Sequence, residues 1–332
     1  MPPVNFSIIL PVHNGTRFLR QSIESVLSQS LRDFEFIIWN DHSTDGSDEI
    51  IDGYDDPRIR RYSNNVNLGL FKTLNLGIAK ATGNWIRLWS QDDVMKSRCL
   101  ETEAEFLAKH PEVGMCYCGV DGIDESGDVV APLPYDCTPD VVSPSLAAQI
   151  MFYHGSMPGN IANVSLNKSV LEKVGTFLDD MSIAGDFEMW TRLSRQYSIG
   201  HINRPLIYLR SHKGQFSRQP KSYLTCMLEE QSVYETLLAR QPIEQRSYAK
   251  RYDRRHRYLQ YFHFMVRSLV LGDFELALQA YRVIRRIDKP IKLLGLWLIT
   301  ADRRFFKIPS KYTQEVAEKS KASKDFSYGE AR

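Results

Sequence analysis

Ser7-Ile-Ile-Leu-Pro-Val-His-Asn-Gly15 is an apolar run that breaks at once into polar, turn-forming residues. The next residues set Phe18, Leu19, Ile23, Val26 and Leu27 on one helical face, and Phe34 to Trp39 returns to an apolar run. This is a βαβ rhythm. A helix from Asp48, a run at Arg58 to Tyr62, a helix over Leu70 to Ala81 and the apolar Trp85 to Trp89 continue it. The alternation predicts a mostly parallel sheet covered by helices. Ligands of such sheets bind beyond the C-terminal ends of the strands. Those ends carry Pro11 to Gly15, Asn40 to Gly46 and Ser90 to Asp93, three loops rich in oxygen ligands, so the chemistry is expected there.

At 332 residues and 43% hydrophobic content the chain can hold one large α/β domain plus an appendage, or two domains. Its 42 Lys and Arg nearly balance 40 Asp and Glu, and a formal charge of +2 does not mark a nucleic-acid binder. Cys99, Cys116, Cys118, Cys137 and Cys226 form no CxxC pair and show no zinc-finger spacing. That points away from a disulfide framework or structural zinc, and toward a reducing compartment. Phe6 to Val12 is too short for a signal sequence, and the longest apolar candidate, Leu293 to Ile299, falls far below the roughly 18–20 residues that span a bilayer. A cytoplasmic location is expected.

Downstream, Cys99 to Ser217 mixes strand-like runs at Val113 to Cys118, Ile161 to Leu166 and Leu206 to Leu209 with helices and longer loops. From Lys221 the pattern is entirely helical, with basic clusters at Arg251 to Arg257 and Arg282 to Arg286. The expected division is an α/β domain over 1–219, in halves 1–98 and 99–219, and a helical region over 220–332. The polar end, 319–332, is expected to be frayed. Leu271 to Tyr281 looks like half of a tetratricopeptide-type hairpin, but no second copy occurs at the required period, so a lone helical hairpin is expected.

Asp92 and Asp93 follow directly on an apolar strand. Two adjacent carboxylates there suit Mg2+ or Mn2+, which take one or two protein carboxylates and fill the rest of the shell with phosphate oxygens and water. Taken alone, an Asp-Asp pair is more often a solvated turn or a helix cap. Asp41, at the end of the second strand, could accept the imino hydrogen of a uracil- or guanine-like base; an Asx turn into the next helix is the bland alternative. Neither GxGxxG nor GxxxxGK[ST] occurs at a strand-to-helix junction, so metal and carboxylates are left to hold phosphates.

Ser7 to Gly15, Ser25-Val-Leu-Ser-Gln29, Asn40 to Ser47, Asn67-Leu-Gly69, Asn75 to Ala79, Gly83 to Ile86 and Leu88-Trp-Ser-Gln-Asp-Asp93, taken in order, resemble the opening half of family 2 glycosyltransferases. The resemblance implies a GT-A fold (a nucleotide-diphospho-sugar transferase fold), a nucleotide-sugar donor, Mn2+ or Mg2+, and inversion at the anomeric carbon. It makes 1–98 the nucleotide-binding half and 99–219 the acceptor half. Carried over by position, Pro11, His13, Asn14, Asp41, Asn67 and Asp92 would contact the nucleotide sugar. Asp93 would bind the metal, with Asp92 and His212 as further candidate ligands and Arg210 as a diphosphate partner alongside Lys213. The family's acidic motif often reads Asp-x-Asp-Asp; here Ser90 takes the first place. Gly185-Asp-Phe-Glu-Met-Trp-Thr-Arg-Leu193 resembles the family's second motif, with Gly185 where Glu is frequent, and makes Asp186 the catalytic base. Its alternative is an N-cap. Tyr208-Leu-Arg-Ser-His212 looks like the segment that closes many of these domains, and the polar loop His154 to Asn160 is placed to meet an acceptor.

The C-terminal third interleaves Arg and Lys with Leu, Ile, Trp297, Phe305 and Phe306. It could rest on anionic lipid and deliver the enzyme to a lipid-linked saccharide, or pack its apolar faces and leave the basic ones in water. Uridine diphosphate is the favoured carrier, and cell-surface polysaccharide synthesis the favoured setting by resemblance. The rival readings are a nucleotidyltransferase, which lacks its basic phosphate loop here, and an inactive scaffold of an envelope-assembly complex. A nucleic-acid binder is a distant third reading, supported only by the Arg251 to Arg257 and Arg282 to Arg286 clusters, and no nucleic-acid partner is expected.

Overall fold

The computed structural model describes residues 5–130, 138–212, 215 and 220–304. Lys213, Cys137, Phe305, Phe306 and the segment 319–332 lie outside them. Strand β1 (Phe6–Val12) is buried on both faces, as expected for a near-continuous apolar strand in the middle of a sheet. It pairs in parallel with β2 (Phe34–Asn40) and β4 (Trp85–Leu88), and β2 pairs in parallel with β3 (Ile59–Ser63). Helix α1 (Thr16–Leu27) buries Phe18, Leu19, Ile23 and Val26, the face read from their spacing. Helices α2 (Ser47–Asp52) and α3 (Leu70–Lys80) complete the alternation.

The parallel order holds for this half, and the rest of the nine-stranded sheet is mixed, running β3-β2-β1-β4-β8-β6-β9-β5, with β7 paired to β9. The short β5 (Val94–Met95) and β7 (Val141–Val142) and also β8 (Val164–Asn167) pair antiparallel, whereas β6 (Val113–Ile123) and β9 (Ser198–Arg210) run parallel. The sequence shows β9 only as Leu206 to Leu209. Pro205 breaks the apolar pattern, and the strand tolerates it because it faces Gly119 at a register shift, where a bulge spares the missing amide. Flanking helices are α4 (Cys99–Lys109), α5 (Pro144–His154), α6 (Lys168–Val174) and α7 (Gly185–Leu193).

Helix α8 (Pro220–Ala239) belongs to the same compact unit, which reaches Ile243 before a second begins at Glu244. The boundary expected at Gln219 and Pro220 therefore moves past α8. Its place is fixed by packing against α5 and α7, and by Arg240 just beyond it. The guanidinium of Arg240 donates to the carbonyls of Thr191 (3.0 Å), Ser194 (2.7 Å) and Pro144 (2.7 Å). Helical periodicity shows that α8 is a helix but not which neighbour its apolar side meets.

The second unit is helical: α9 (Arg246–Asp253), a π-helical turn (Arg254–Tyr258), α10 (Leu259–Val270), α11 (Phe274–Ile287) and α12 (Pro290–Arg304). The expected hairpin is α10 packed on α11. Its turn uses Gly272 at φ 81°, and Asp273 caps α11 by accepting from the Leu276 amide at 3.0 Å. Among the described residues no helix is long and apolar enough to cross a membrane.

Candidate active site

The three loops singled out in the sequence meet at the C-terminal edge of β1, β2 and β4 and are tied together by side chains. Asn14 adopts φ 50°, a conformation asparagine tolerates better than most residues. From there its amide donates to Ser43 Oγ at 3.0 Å, and its Oδ1 accepts from the Thr44 amide at 2.8 Å. Gln91 brackets His13: its Oε1 accepts from the His13 amide (2.9 Å) and its Nε2 donates to the His13 carbonyl (3.1 Å). A Cβ on Gly15 would fall 2.5 Å from Gln91 Oε1, so glycine is what lets this bracket close. Asp45 is held down to about 2: burial opposes ionisation, and bonds from Ser47 and Thr16 outweigh it.

Asp41 is 3% exposed. Its Oδ1 accepts from Asn64 Nδ2 (2.7 Å) and the Leu68 amide (2.8 Å), and its Oδ2 from the Gly69 amide (2.8 Å). A carboxylate offers about four lone-pair sites, so Oδ2 keeps one for a ligand. The same residue's carbonyl lies 2.8 Å from His13 Nδ1, which fixes that nitrogen as the protonated one and makes Nε2 the acceptor for Asn67 Nδ2 at 2.9 Å. His13, Asn14, Asp41 and Asn67 are thus brought together. Pro11 lies in β1 opposite Trp39.

The acidic loop is built by β9. Pairing Val94 with Tyr208 delivers Arg210 to Asp93, and the Arg210 amide donates to Asp93 Oδ1 at 2.8 Å. Asp93 is 3% exposed and pushed up to about 7, chiefly by burial and further by the Asp92 charge, against bonds from the Arg210 amide and the Ser90 hydroxyl. Ser90, the departure from the acidic motif, therefore serves as a donor to the carboxylate that remains. Asp92 Oδ2 faces His212 Nε2 at 3.4 Å. That nitrogen is buried and, among the described residues, has no hydrogen-bond partner.

Two ligands at right angles on Mg2+ or Mn2+, each at about 2.1 Å, stand about 3 Å apart. The Asp92–His212 pair fits that spacing, and an orphaned ring nitrogen aimed at a carboxylate suits a cation. Asp93 does not join them: among the described residues the three do not converge to within 4.8 Å. The group that does converge, Cys99, Glu103 and Cys118, is already matched by the buried Arg87 guanidinium, 3.0 Å from Glu103.

Arg210 differs from its expected role as a diphosphate partner. It is 2% exposed, and its guanidinium donates to Asp92 O (2.9 Å), Asp124 O (2.9 Å) and Gln21 Oε1 (2.6 Å) while lying 4.5 Å over the Phe18 ring. It is a clamp on the acidic loop, its buried guanidinium spent mainly on protein acceptors. Its spacing from the acidic pair cannot reveal this, because the acceptors lie far away in the sequence.

Asp186 sits in the first turn of α7, where its Oδ1 accepts from the Phe187 amide at 2.7 Å. Burial pushes it up to about 6, opposed by that amide and helped by the negative charges of Glu230 and Glu229. Glu229, on α8, was not singled out in the sequence. Its carboxylate accepts from the amides of Ser182 (2.8 Å), Ile183 (2.9 Å) and Ala184 (2.8 Å), which holds the turn that leads into α7. Gly185 has its own reason: a Cβ there would lie 2.7 Å from the Phe71 ring. Phe71 stands in the first turn of α3, just after the Leu68 and Gly69 amides bound by Asp41, so α3 links the Asp41 loop to Asp186. The loop His154 to Asn160 is tethered by Asn163, whose Nδ2 donates to the Pro158 carbonyl at 3.1 Å, and burial lowers the His154 pKa.

Two family models match the chain: Glycosyl transferase family 2 over residues 7–160 and Glycosyl transferase family group 2 over residues 85–303. An uncharacterized glycosyltransferase of Rickettsia prowazekii is 28% identical over 213 residues, covering 63% of this chain and 64% of that protein. One of Haemophilus influenzae is 34% identical over 122 residues, covering 35% of this chain and 49% of that protein. The chain thus spans less than two thirds of the length of these relatives. The crystal structure of S. aureus TarS 1-349 superimposes with a TM-score of 0.60 at 14% identity, over 92% of this chain and 93% of that one. TarS 1-349 in complex with UDP-GlcNAc gives 0.58 at 16% identity, over 85% and 91%. At those identities the likeness is one of fold.

Proposed function

Because this chain belongs to the family 2 glycosyltransferases, we propose that it moves a sugar from a nucleoside-diphosphate sugar, a UDP-sugar by preference, to a hydroxyl of a saccharide or lipid-linked saccharide, with inversion. The observation that carries this reading is the His212 Nε2, without a hydrogen-bond partner among the described residues, facing Asp92 Oδ2 at 3.4 Å, at the sheet edge where a diphosphate would lie. TarS, similar in fold, has been crystallised with UDP-GlcNAc, which supports uridine as the carrier.

In this mechanism the free lone pair of Asp41 Oδ2 takes the imino hydrogen of the base, and Pro11, His13, Asn14 and Asn67 shape the surrounding surface. Asp92 and His212 would hold Mn2+ or Mg2+, with Asp93 lending negative charge from behind. When bound, the ion neutralises the diphosphate leaving group. Asp186 removes the proton of the acceptor hydroxyl as that oxygen attacks the anomeric carbon, and the nucleoside diphosphate leaves from the opposite face. The setting that fits is cell-surface polysaccharide synthesis, with the helical unit in peripheral contact with the membrane.

Asp186 must be ionised to act, and its pKa is about 6. kcat/KM for transfer is therefore expected to fall below about pH 6, by about tenfold per unit once well below it. Glu229→Gln removes one of the negative charges that raise Asp186, so the acid limb is expected to move to lower pH. The same change weakens the hold on residues 182–184, the turn that leads into α7, so kcat should drop with the donor KM unchanged. A pH–rate profile of both proteins checks this; an acid limb that stays in place in the variant would remove Asp186 as the base. The reading as a whole is tested by supplying UDP-sugars with saccharide acceptors and following UDP release.

A further inference from the structure

The helical unit carries a cleft of about 450 Å³ lined by Arg251, Arg254, Arg255, Ile291, Lys292, Gly295 and Leu296. That volume lies within the roughly 300–1,000 Å³ of small-molecule sites. Four cations converge on it from α9, the π-helical turn and α12. Arg254 pairs with Asp288. Among the described residues Arg251, Arg255 and Lys292 make no ion pair. π-helical turns are rare and recur at functional sites, and this one sets two arginines side by side at the rim.

The floor is apolar and open. Gly295 sits within α12, where glycine weakens a helix, yet among the described residues nothing lies within 4 Å of where its Cβ would be. No described neighbour requires a glycine there; its effect is to leave the cleft open. Beside it, α12 exposes Ile291 (77%), Leu294 and Leu298 (62%) at i, i+3 and i+7, an apolar stripe against the basic rim. The α10–α11 turn also exposes Val270, Leu271 and Phe274, but next to Asp273 and Glu275, whose charges oppose an anionic surface.

We propose that this cleft binds the phosphate headgroup of an anionic bilayer lipid, with the α12 stripe resting in the acyl boundary. Free inorganic phosphate would satisfy the cations but leave the stripe in water; a lipid satisfies both. The inference rests on the reading that the helical unit meets a membrane, but the test needs no transfer activity, so its failure leaves the glycosyltransferase reading standing.

The test is sedimentation of the full chain with vesicles of phosphatidylcholine alone or equimolar with phosphatidylglycerol. Binding to the anionic vesicles only is expected. Loss of each basic charge should weaken it about fivefold, so Arg251→Ala, Arg255→Ala and Lys292→Ala combined should lose about 100-fold. Gly295→Glu places a carboxylate in the cleft, favours the helix, and should lose binding with an unchanged melting curve. Leu298→Gln, on the stripe but outside the cleft lining, should weaken binding without altering the cleft's charges. Equal sedimentation of wild type and the charge variants would overturn the proposal. So would calorimetric binding of inorganic phosphate or diphosphate without binding to vesicles.

Discussion

Asp186→Asn is expected to lower kcat for transfer by about 10²–10⁴-fold, the usual weight of a general base, while leaving the Kd of the nucleotide sugar unchanged. Asparagine keeps the shape and the oxygen that accepts from the Phe187 amide at 2.7 Å, so α7 should start as before. What is lost is the group able to take a proton, already poised near neutrality at about 6. Asp93→Asn should do the reverse. It removes charge beside the Asp92–His212 pair and should weaken donor binding in the presence of Mn2+ before it touches the proton transfer. Calorimetry of donor binding with single-turnover transfer separates the two; equal loss of donor binding in both variants would contradict the assignment.

Arg87→Met is expected to destabilise the first unit by about 3–5 kcal/mol, because it leaves the Glu103 carboxylate charged and unmatched in the core. Both side chains are essentially inaccessible, 0% and 1% exposed, at 3.0 Å from one another. Arg87 also donates to the carbonyls of Ala162 (2.6 Å) and Leu88 (2.8 Å), and Glu103 accepts from Ser165 Oγ at 2.7 Å. The pair thus joins β4, α4 and the approach to β8. Breaking it with one substitution should differ sharply from replacing it. Arg87→Met with Glu103→Leu should recover most of the loss, since burying two charges offsets much of their attraction. Chemical denaturation of the single and double variants tests this; a double variant as unstable as the single one would mean that Arg87 acts through its carbonyl bonds instead.

The parallel half of the fold was legible because β1, β2 and β4 are mostly apolar runs that end in turn residues, a pattern that length and periodicity report. The mixed half was not. The strands β5 and β7 are two residues long, and the parallel run of β6 with β9 depends on a bulge at Pro205 that a local pattern reads as a break. At the site, residue type and position raise Asp92 and Asp93 as candidates, and the family resemblance singles out Asp186 and His212. Their partners could not be read in either way. Gln91 looks like a spacer until it brackets His13, Glu229 like a solvated helix charge until it reaches three amides of another segment, and Arg210 like a phosphate ligand until its acceptors close around it. Each is decided by a contact between residues far apart in sequence.

The most direct test of a metal-assisted nucleotide-sugar site at the sheet edge is calorimetric titration of the protein with uridine diphosphate, with and without Mn2+. Binding that Mn2+ strengthens, and that His212→Ala uncouples from Mn2+, is the result expected from the 3.4 Å Asp92–His212 pair. Failure of uridine, thymidine, guanosine and cytidine diphosphates to bind under either condition would contradict the assignment of a donor site to these loops.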